Sequence, residues 1–79
     1  MQVWHLRIVD LVTSDSETFT VTETFSYQLL KEKIQWRFGR KLGEIHLADK
    51  HITDDETLQS ILKPGIEYIY GFVRFEMDE

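Results

Sequence analysis

Residues 25–39 read FSYQLLKEKIQWRFG, and this stretch decides the fold because the hydrophobic period changes here from that of a strand to that of a helix. Its apolar side chains recur at spacings of three and four, along one stripe of a helix: Tyr27, Leu30, Ile34 and Phe38. Ser26 is placed to act as the N-cap, and Gly39 suits the left-handed residue that ends a helix. The pattern predicts a helix from near residue 27 to near residue 38.

The residues before this helix predict a β-hairpin. Residues 2–9 alternate with period two, and one of the two interleaved sets is predicted to enter the core: Trp4, Leu6 and Ile8. Turn-forming residues follow at 13–16, and residues 18–22 then alternate again with β-branched and aromatic side chains. Phe19 and Val21 are predicted to face inward.

The residues after the helix predict a second, shorter hairpin. Residues 45–48 alternate as a short strand, Asp49 and Lys50 suit a tight turn, and residues 51–52 can form a brief partner strand. Thr57 is placed to cap a single helical turn that runs on toward residue 61.

A long strand is predicted over residues 66–75, after the type II turn that the Pro-then-Gly order of residues 63–65 favours. Both of its faces are apolar. The larger set is predicted to lie in the core and its margins: Tyr68, Tyr70 and Phe72. The other set is then expected on the open face of the sheet: Ile69, Gly71 and Val73.

This order of elements predicts an α+β fold of the β-grasp type, with a mixed sheet of four to five strands packed on one α-helix. The connectivity is ββαββ with a short helical turn before the last strand, and the first and last strands are expected to pair in parallel. We expect one domain over residues 1–75 and a frayed acidic end over residues 76–79.

Composition and charge exclude several classes of function. The chain has 79 residues, a formal net charge of −5 and no cysteine, which rules out disulfides, thiolate metal sites and thiol nucleophiles. An acidic domain repels a phosphate backbone, so nucleic acid is not an expected partner. Signal peptide and membrane-spanning patterns are absent from the sequence, so we expect a cytoplasmic or nuclear monomer.

The chain resembles ubiquitin and the ubiquitin-like domains over nearly its whole length. Residues 1–4 are similar to the Met-Gln-aliphatic-aromatic opening of that family, and residues 30–35 with Gly39 are similar to its helix and helix-ending glycine. Residues 45–58 resemble the family's strand, tight turn, acidic loop and Thr-Leu pair, and residues 62–65 resemble its Ile-Lys-Pro-Gly turn. The resemblance implies the β-grasp fold and a role in binding other proteins.

Two departures from the family change what the resemblance implies. Conjugated members end in Gly-Gly, whereas this chain ends in residues 74–79, RFEMDE, so neither conjugation nor sulfur-carrier chemistry is expected. The family also binds partners through an apolar patch on the open sheet face. By the resemblance, His46 takes the place of the central isoleucine of that patch, and Ile69 and Gly71 take the places of its histidine and valine.

We therefore expect a non-conjugated ubiquitin-like interaction module. Its partner would be a proteasome subunit, a segregase ATPase, a ligase, a deubiquitinase or a neighbouring domain of the same protein. The expected binding residues lie on the open sheet face: His5, Arg7, His46, Ile69, Gly71 and Val73. An alternative is a Ras-association-like domain that binds a small GTPase by strand-edge pairing, although the predicted second strand, residues 18–22, has no basic residue. A third is a structural role, in which the domain packs on a catalytic neighbour and regulates it.

We do not expect the domain to catalyse a reaction, and no cofactor is implied. A Ser/His/Asp site needs a base oriented inside a pocket, which a domain of this size rarely holds. His5 and His46, as two ligands without a third, make a poor zinc site. Trp36 lies off the apolar stripe of the helix and is predicted to be partly buried against the loop that follows.

Overall fold

The computed structural model describes residues 2–76, which form five strands and two helices. In chain order these are β1 (Val3–Asp10), β2 (Ser16–Thr22), α1 (Tyr27–Phe38), β3 (Leu42–Leu47), β4 (Lys50–Ile52), α2 (Asp55–Ile61) and β5 (Tyr68–Phe75). The predicted frayed end falls mainly on residues 77–79, which lie outside the described part. At Glu76, the backbone N–H still donates to the carbonyl of Lys41 at 2.8 Å.

The five strands form one mixed sheet in the order β2-β1-β5-β3-β4. β1 pairs in parallel with β5, and the other neighbours are antiparallel. The α+β fold of the β-grasp type is therefore confirmed, including the parallel pairing of the first and last strands. The last strand in the chain occupies the centre of the sheet.

The core lies between the sheet and α1. Trp4, Leu6 and Ile8 are buried as predicted, and Val21 is buried beside them. α1 contributes Leu30 and Ile34, while Tyr27 and Phe38 pack at the margin of the same cluster. These faces meet because a period-two strand and a period-3.6 helix each place one apolar row on one side.

Both helices begin at polar caps, but the second cap differs from the prediction. The Ser26 hydroxyl accepts from the backbone N–H of Leu29 at 3.1 Å, and Gly39 ends α1 with φ 68, both as predicted. α2 has two turns instead of one, and its N-cap is Asp54. Thr57 is the N3 residue of a capping box, where its hydroxyl accepts from the N–H of Asp54 at 3.1 Å.

The β3–β4 turn also lies one residue earlier than predicted. Ala48 and Asp49 occupy it with φ of 51 and 65, the positive values that a two-residue type I′ hairpin needs. Lys50 therefore belongs to β4 and pairs with Leu47. The 63–65 turn is as predicted, with Gly65 at φ 89.

The two faces of β5 are the reverse of the prediction. Ile69 is 4% exposed and Val73 0% exposed, so both lie in the core, whereas Tyr68 is 59% and Tyr70 66% exposed on the opposite face. The pairing with β1 sets this arrangement, since Ile69 lies beside the buried Leu6. Aliphatic side chains fill the space under α1, and the longer aromatic rings point to solvent.

Gly71 shares the core-facing side of β5, where there is no room for a side chain. A Cβ at this position would overlap the carbonyl oxygen of His46 and lie 2.6 Å from Cδ2 of Leu47. Gly71 therefore allows β5 and β3 to approach closely, and its place on the core-facing side differs from the predicted open face. Among the described residues, no helix has the length and apolar character needed to cross a bilayer.

Candidate functional site

The open face is the side of the sheet turned away from α1. It carries the outward-facing side chains of β1, β5, β3 and β4: Val3, His5, Arg7, Val9, Tyr68, Tyr70, Phe72, Arg74, Glu44, His46 and His51. Three aromatic residues follow one another at every second position of the central strand. Most solvent-facing sheet surfaces carry polar side chains. This face is unusual because aromatic rings run down its middle.

Ring stacking fixes the aromatic residues of the open face in two groups. The His5 and Tyr68 rings stack with centroids 5.1 Å apart. At the other end, the His46 ring lies between Phe72 and His51, with centroid distances of 4.6 and 4.7 Å and interplanar angles of 14° on both sides. Each group forms because cross-strand neighbours on one face lie within reach of each other. Stacking therefore orders these five rings, whereas Tyr70 lies between the two groups along β5 and is 66% exposed.

The charges of the open face are mostly basic. Arg7 is the cross-strand neighbour of Tyr70. Arg74 lies 3.7 Å from Glu44, measured from Nε to Oε1, and the side chain of Arg74 is 64% exposed. The face thus carries two arginines against one carboxylate, in a chain whose formal net charge is −5 with histidine counted as neutral.

Tyr68 and Tyr70 also border a depression in the surface. It has a volume of about 450 Å³ and lies between the β3–β4 turn and the loop that precedes β5. Its walls include Ala48, Ile61 and the half-exposed Ile66, and its charged lining residues are Asp49, Lys50 and Lys63. The depression can accept one apolar side chain of a partner.

Three of the six predicted site residues lie on the open face: His5, Arg7 and His46. Ile69, Gly71 and Val73 do not, because they face α1 and the core, and their prediction as surface residues is wrong. Sequence reasoning missed the residues that take their place on β5, Tyr68, Tyr70 and Phe72, with Arg74 beyond them. The signal that could have found them is the aliphatic character of the alternate set, since Ile and Val are the more often buried types.

A second exposed apolar surface lies between α1 and β2. Trp36 is 85% exposed, so the prediction that it is partly buried is wrong. Together with Phe19 and Leu29 it lines a shallow groove of about 520 Å³. β2 forms one edge of the sheet built by residues 2–76, and its outer backbone groups are therefore available beside this groove.

Nitrogen and oxygen ligands come together at one place on the open face. Glu44, His46 and His51 each offer a ligand atom, and these atoms all lie within 4.8 Å of one another. His5 is not part of this group, because it pairs with Tyr68 whereas His46 pairs with Phe72, four positions further along β5. His5 and His46 both lie on the open face but at different places along β5.

Comparison with known proteins adds no relative to these observations. No family model matches the chain, and a search of curated proteins found no match. The candidate site therefore rests on its own geometry.

Proposed function

We propose that this domain is a non-conjugated, ubiquitin-like protein-interaction module that binds a partner protein through the open face. The observation that carries the proposal is the exposure of Tyr68 and Tyr70 beside a depression of about 450 Å³. Exposed tyrosines with neighbouring arginines are the residue types that dominate binding energy at protein interfaces. We propose both the relationship to ubiquitin-like domains and a partner from the ubiquitin pathway.

The shape of the surface favours one apolar anchor with flanking contacts. A partner side chain in the depression would be covered by the rings of Tyr68 and Tyr70 and would contact Ile66 at the far wall. Because Tyr68 is already stacked on His5, less conformational entropy is lost at this side chain when the partner docks. We expect the interface around this single anchor to be small, below about 1,200 Å² of buried surface, which is the size of the transient class.

Charge complementarity defines the rest of the partner. Lys50 and Lys63 line the depression against one carboxylate, Asp49, and Arg7 lies beside Tyr70 on the sheet. The fitting partner segment therefore carries an aliphatic or aromatic anchor with acidic residues around it. Such charges increase the association rate and select the partner more than they raise the affinity.

The test is a titration of the isotope-labelled domain, followed by NMR, with purified proteins of the proposed classes. These are proteasomal ubiquitin receptors, segregase ATPase domains, ligases and deubiquitinases. A binding partner is expected to shift the amide signals of β5 and of residues 48–50. Tyr70→Ala should weaken that binding about tenfold, which corresponds to roughly 1.4 kcal/mol.

Trp36→Ala is the matched control, since it removes an exposed aromatic ring from the other surface. It should leave the affinity unchanged. If Trp36→Ala abolishes binding and Tyr70→Ala does not, the open face is the wrong surface. If no protein of these classes binds, the ubiquitin-pathway role is wrong.

Strand-edge binding of a small GTPase is the second candidate, and the open edge of β2 beside the Trp36 groove favours it. β2 has no lysine or arginine to meet an acidic GTPase, although Lys33 and Arg37 of α1 line the groove. The same titration with GTP-loaded small GTPases tests this mode, which requires shifts in β2 and sensitivity to Trp36→Ala.

A further inference from the structure

We propose that Glu44, His46 and His51 form a binding site for a divalent transition-metal ion, with Zn²⁺ as the best fit. The site lies at the β3–β4 end of the open face. It goes beyond the interaction role proposed above, because it needs none of the tyrosines that carry that role.

The local backbone brings the three side chains together. The two-residue turn at Ala48 and Asp49 sets the register of the β3–β4 hairpin, which pairs His46 directly with His51. Glu44 lies two residues before His46 in β3, so both side chains leave the same face of the strand. The carboxylate Oε1 of Glu44 is 3.6 Å from Nε2 of His46.

The donor set matches the preference of Zn²⁺. Two imidazole nitrogens and one carboxylate oxygen are a ligand combination that zinc uses in proteins, with bonds of about 2.0–2.2 Å and an open fourth position for water or substrate. Cu²⁺ and Ni²⁺ also bind imidazole, whereas Mg²⁺ and Ca²⁺ prefer oxygen ligands alone. Selectivity for the imidazole-binding metals therefore follows from the residues.

Binding requires a small movement of the histidine rings. Two nitrogens on one tetrahedral zinc ion are roughly 3.3 Å apart, and each must aim its lone pair at the metal. The stacked rings, with centroids 4.7 Å apart and planes 14° from parallel, must tilt toward each other to do so. His51 is exposed, so its ring can tilt without entering the packed core.

Two neighbouring interactions compete with the metal. Arg74 lies 3.7 Å from the Glu44 carboxylate, and His46 stacks on Phe72 with centroids 4.6 Å apart. A bound divalent ion would take the place of Arg74 as the cation beside the Glu44 carboxylate. It would also change the stacking of His46 on Phe72, because the His46 ring must tilt to bind the ion. Metal binding is therefore expected to change the NMR signals of the Phe72 ring, although Phe72 is not a ligand.

The experiment uses the full chain without an affinity tag, titrated with zinc chloride at mildly alkaline pH, where imidazole is deprotonated. Isothermal titration calorimetry is expected to show one ion per chain. The imidazole signals of His46 and His51 should shift together with those of Phe72, while the His5 signals stay in place.

His51→Ala removes an exposed ligand and should leave the fold intact. Because loss of a group that merely orients a ligand costs roughly 10- to 100-fold in affinity, loss of a ligand should cost at least that much. Glu44→Gln keeps the shape of the side chain and should weaken binding less. His5→Ala is the matched control, the third histidine of the chain, and should have no effect.

Three results overturn the proposal. One is the absence of heat and of imidazole shifts at submillimolar zinc. Another is equal affinity in His51→Ala and the unchanged chain. The last is one ion for two chains, which would mean that zinc bridges two molecules. Tyr70→Ala should bind zinc normally, so failure of the metal site and failure of the interaction role are distinguishable.

Discussion

Neighbouring substitutions at Ile69 and Tyr70 test which face of β5 is buried. The side chain of Ile69 is 4% exposed and that of Tyr70 is 66% exposed. Truncation of a buried isoleucine to alanine costs about 2–5 kcal/mol through lost burial and the cavity left behind. Substitution at an exposed position usually changes stability by less than about 0.5 kcal/mol. Ile69→Ala should therefore be strongly destabilising and Tyr70→Ala nearly neutral.

The size of the effect is large relative to the stability of the domain. At roughly 0.05–0.15 kcal/mol per residue, a chain of this length has a free energy of unfolding of about 4–12 kcal/mol. With a urea m-value of about 1 kcal/mol/M for a domain this small, Ile69→Ala should lower the denaturation midpoint by roughly 2 M or more. If the stability is at the low end of this range and the cost at the high end of about 2–5 kcal/mol, the variant is largely unfolded without denaturant.

Tryptophan fluorescence in urea is the assay. Trp4 is buried, and its indole N–H donates to the carbonyl of Lys63 at 3.1 Å, so its emission reports unfolding. Trp36 is exposed in the folded domain and adds a constant background, so the measurement is made with Trp36→Phe. If Tyr70→Ala is the more destabilising change, β5 is shifted by one residue and the open face described above is wrong.

Three further substitutions test contacts that hold the sheet and helices together. Gly71→Ala should lower the free energy of unfolding by about 1–3 kcal/mol, because the new Cβ would overlap the carbonyl oxygen of His46 and push β5 away from β3. An unchanged melting temperature would refute the close approach of the two strands. Asp10→Ala should lower the free energy of unfolding in urea by about 1–2 kcal/mol, because the buried carboxylate accepts from Arg40 at 3.1 Å. The Arg40 side chain is 39% exposed, so solvent partly screens this ion pair. An equal loss of stability in high salt and in low salt would show that charge plays no part. Asp54→Ala should cost about 1 kcal/mol by removing the N-cap of α2, and amide hydrogen exchange should speed up in α2 and not in α1.

The helix α1 and the first hairpin could be predicted from the sequence because each has a single apolar face. Tyr27 to Phe38 show one stripe bounded by a cap and a glycine, and the bounds in the structure agree with the prediction. Trp4, Leu6 and Ile8 alternate with more polar side chains, so only one face can be buried. Where only one face of an element is apolar, the sequence pattern alone identifies the buried face.

β5 could not be oriented from its own sequence, since both of its faces are apolar. Size favoured the tyrosines as core residues, but orientation depends on which residue of β5 lies beside Leu6 of β1. That register is a property of two strands at opposite ends of the chain. The limited space at Gly71 also appears only when β3 is beside it.

The group of Glu44, His46 and His51 was missed because of a one-residue error in a turn. A turn at residues 49–50 would pair Ala48 with His51 and leave His46 opposite Thr53. The observed turn at Ala48 and Asp49 pairs His46 with His51. Positive φ at an alanine is uncommon, so the residue types argued against the correct turn.

The central position of β5 has a consequence for how the domain is made. β5 is the only contact in the described sheet between the β1–β2 hairpin and the β3–β4 hairpin. An isolated two-stranded hairpin is marginal in water, so neither half is stable until the last strand has left the ribosome and inserted between them. The rate of folding should then be set by closure of the loop between the first and last strands, as in other topologies rich in distant contacts. A chain that stops before β5 is expected to expose two further unpaired strand edges, those of β1 and β3, to the quality-control machinery of the cell.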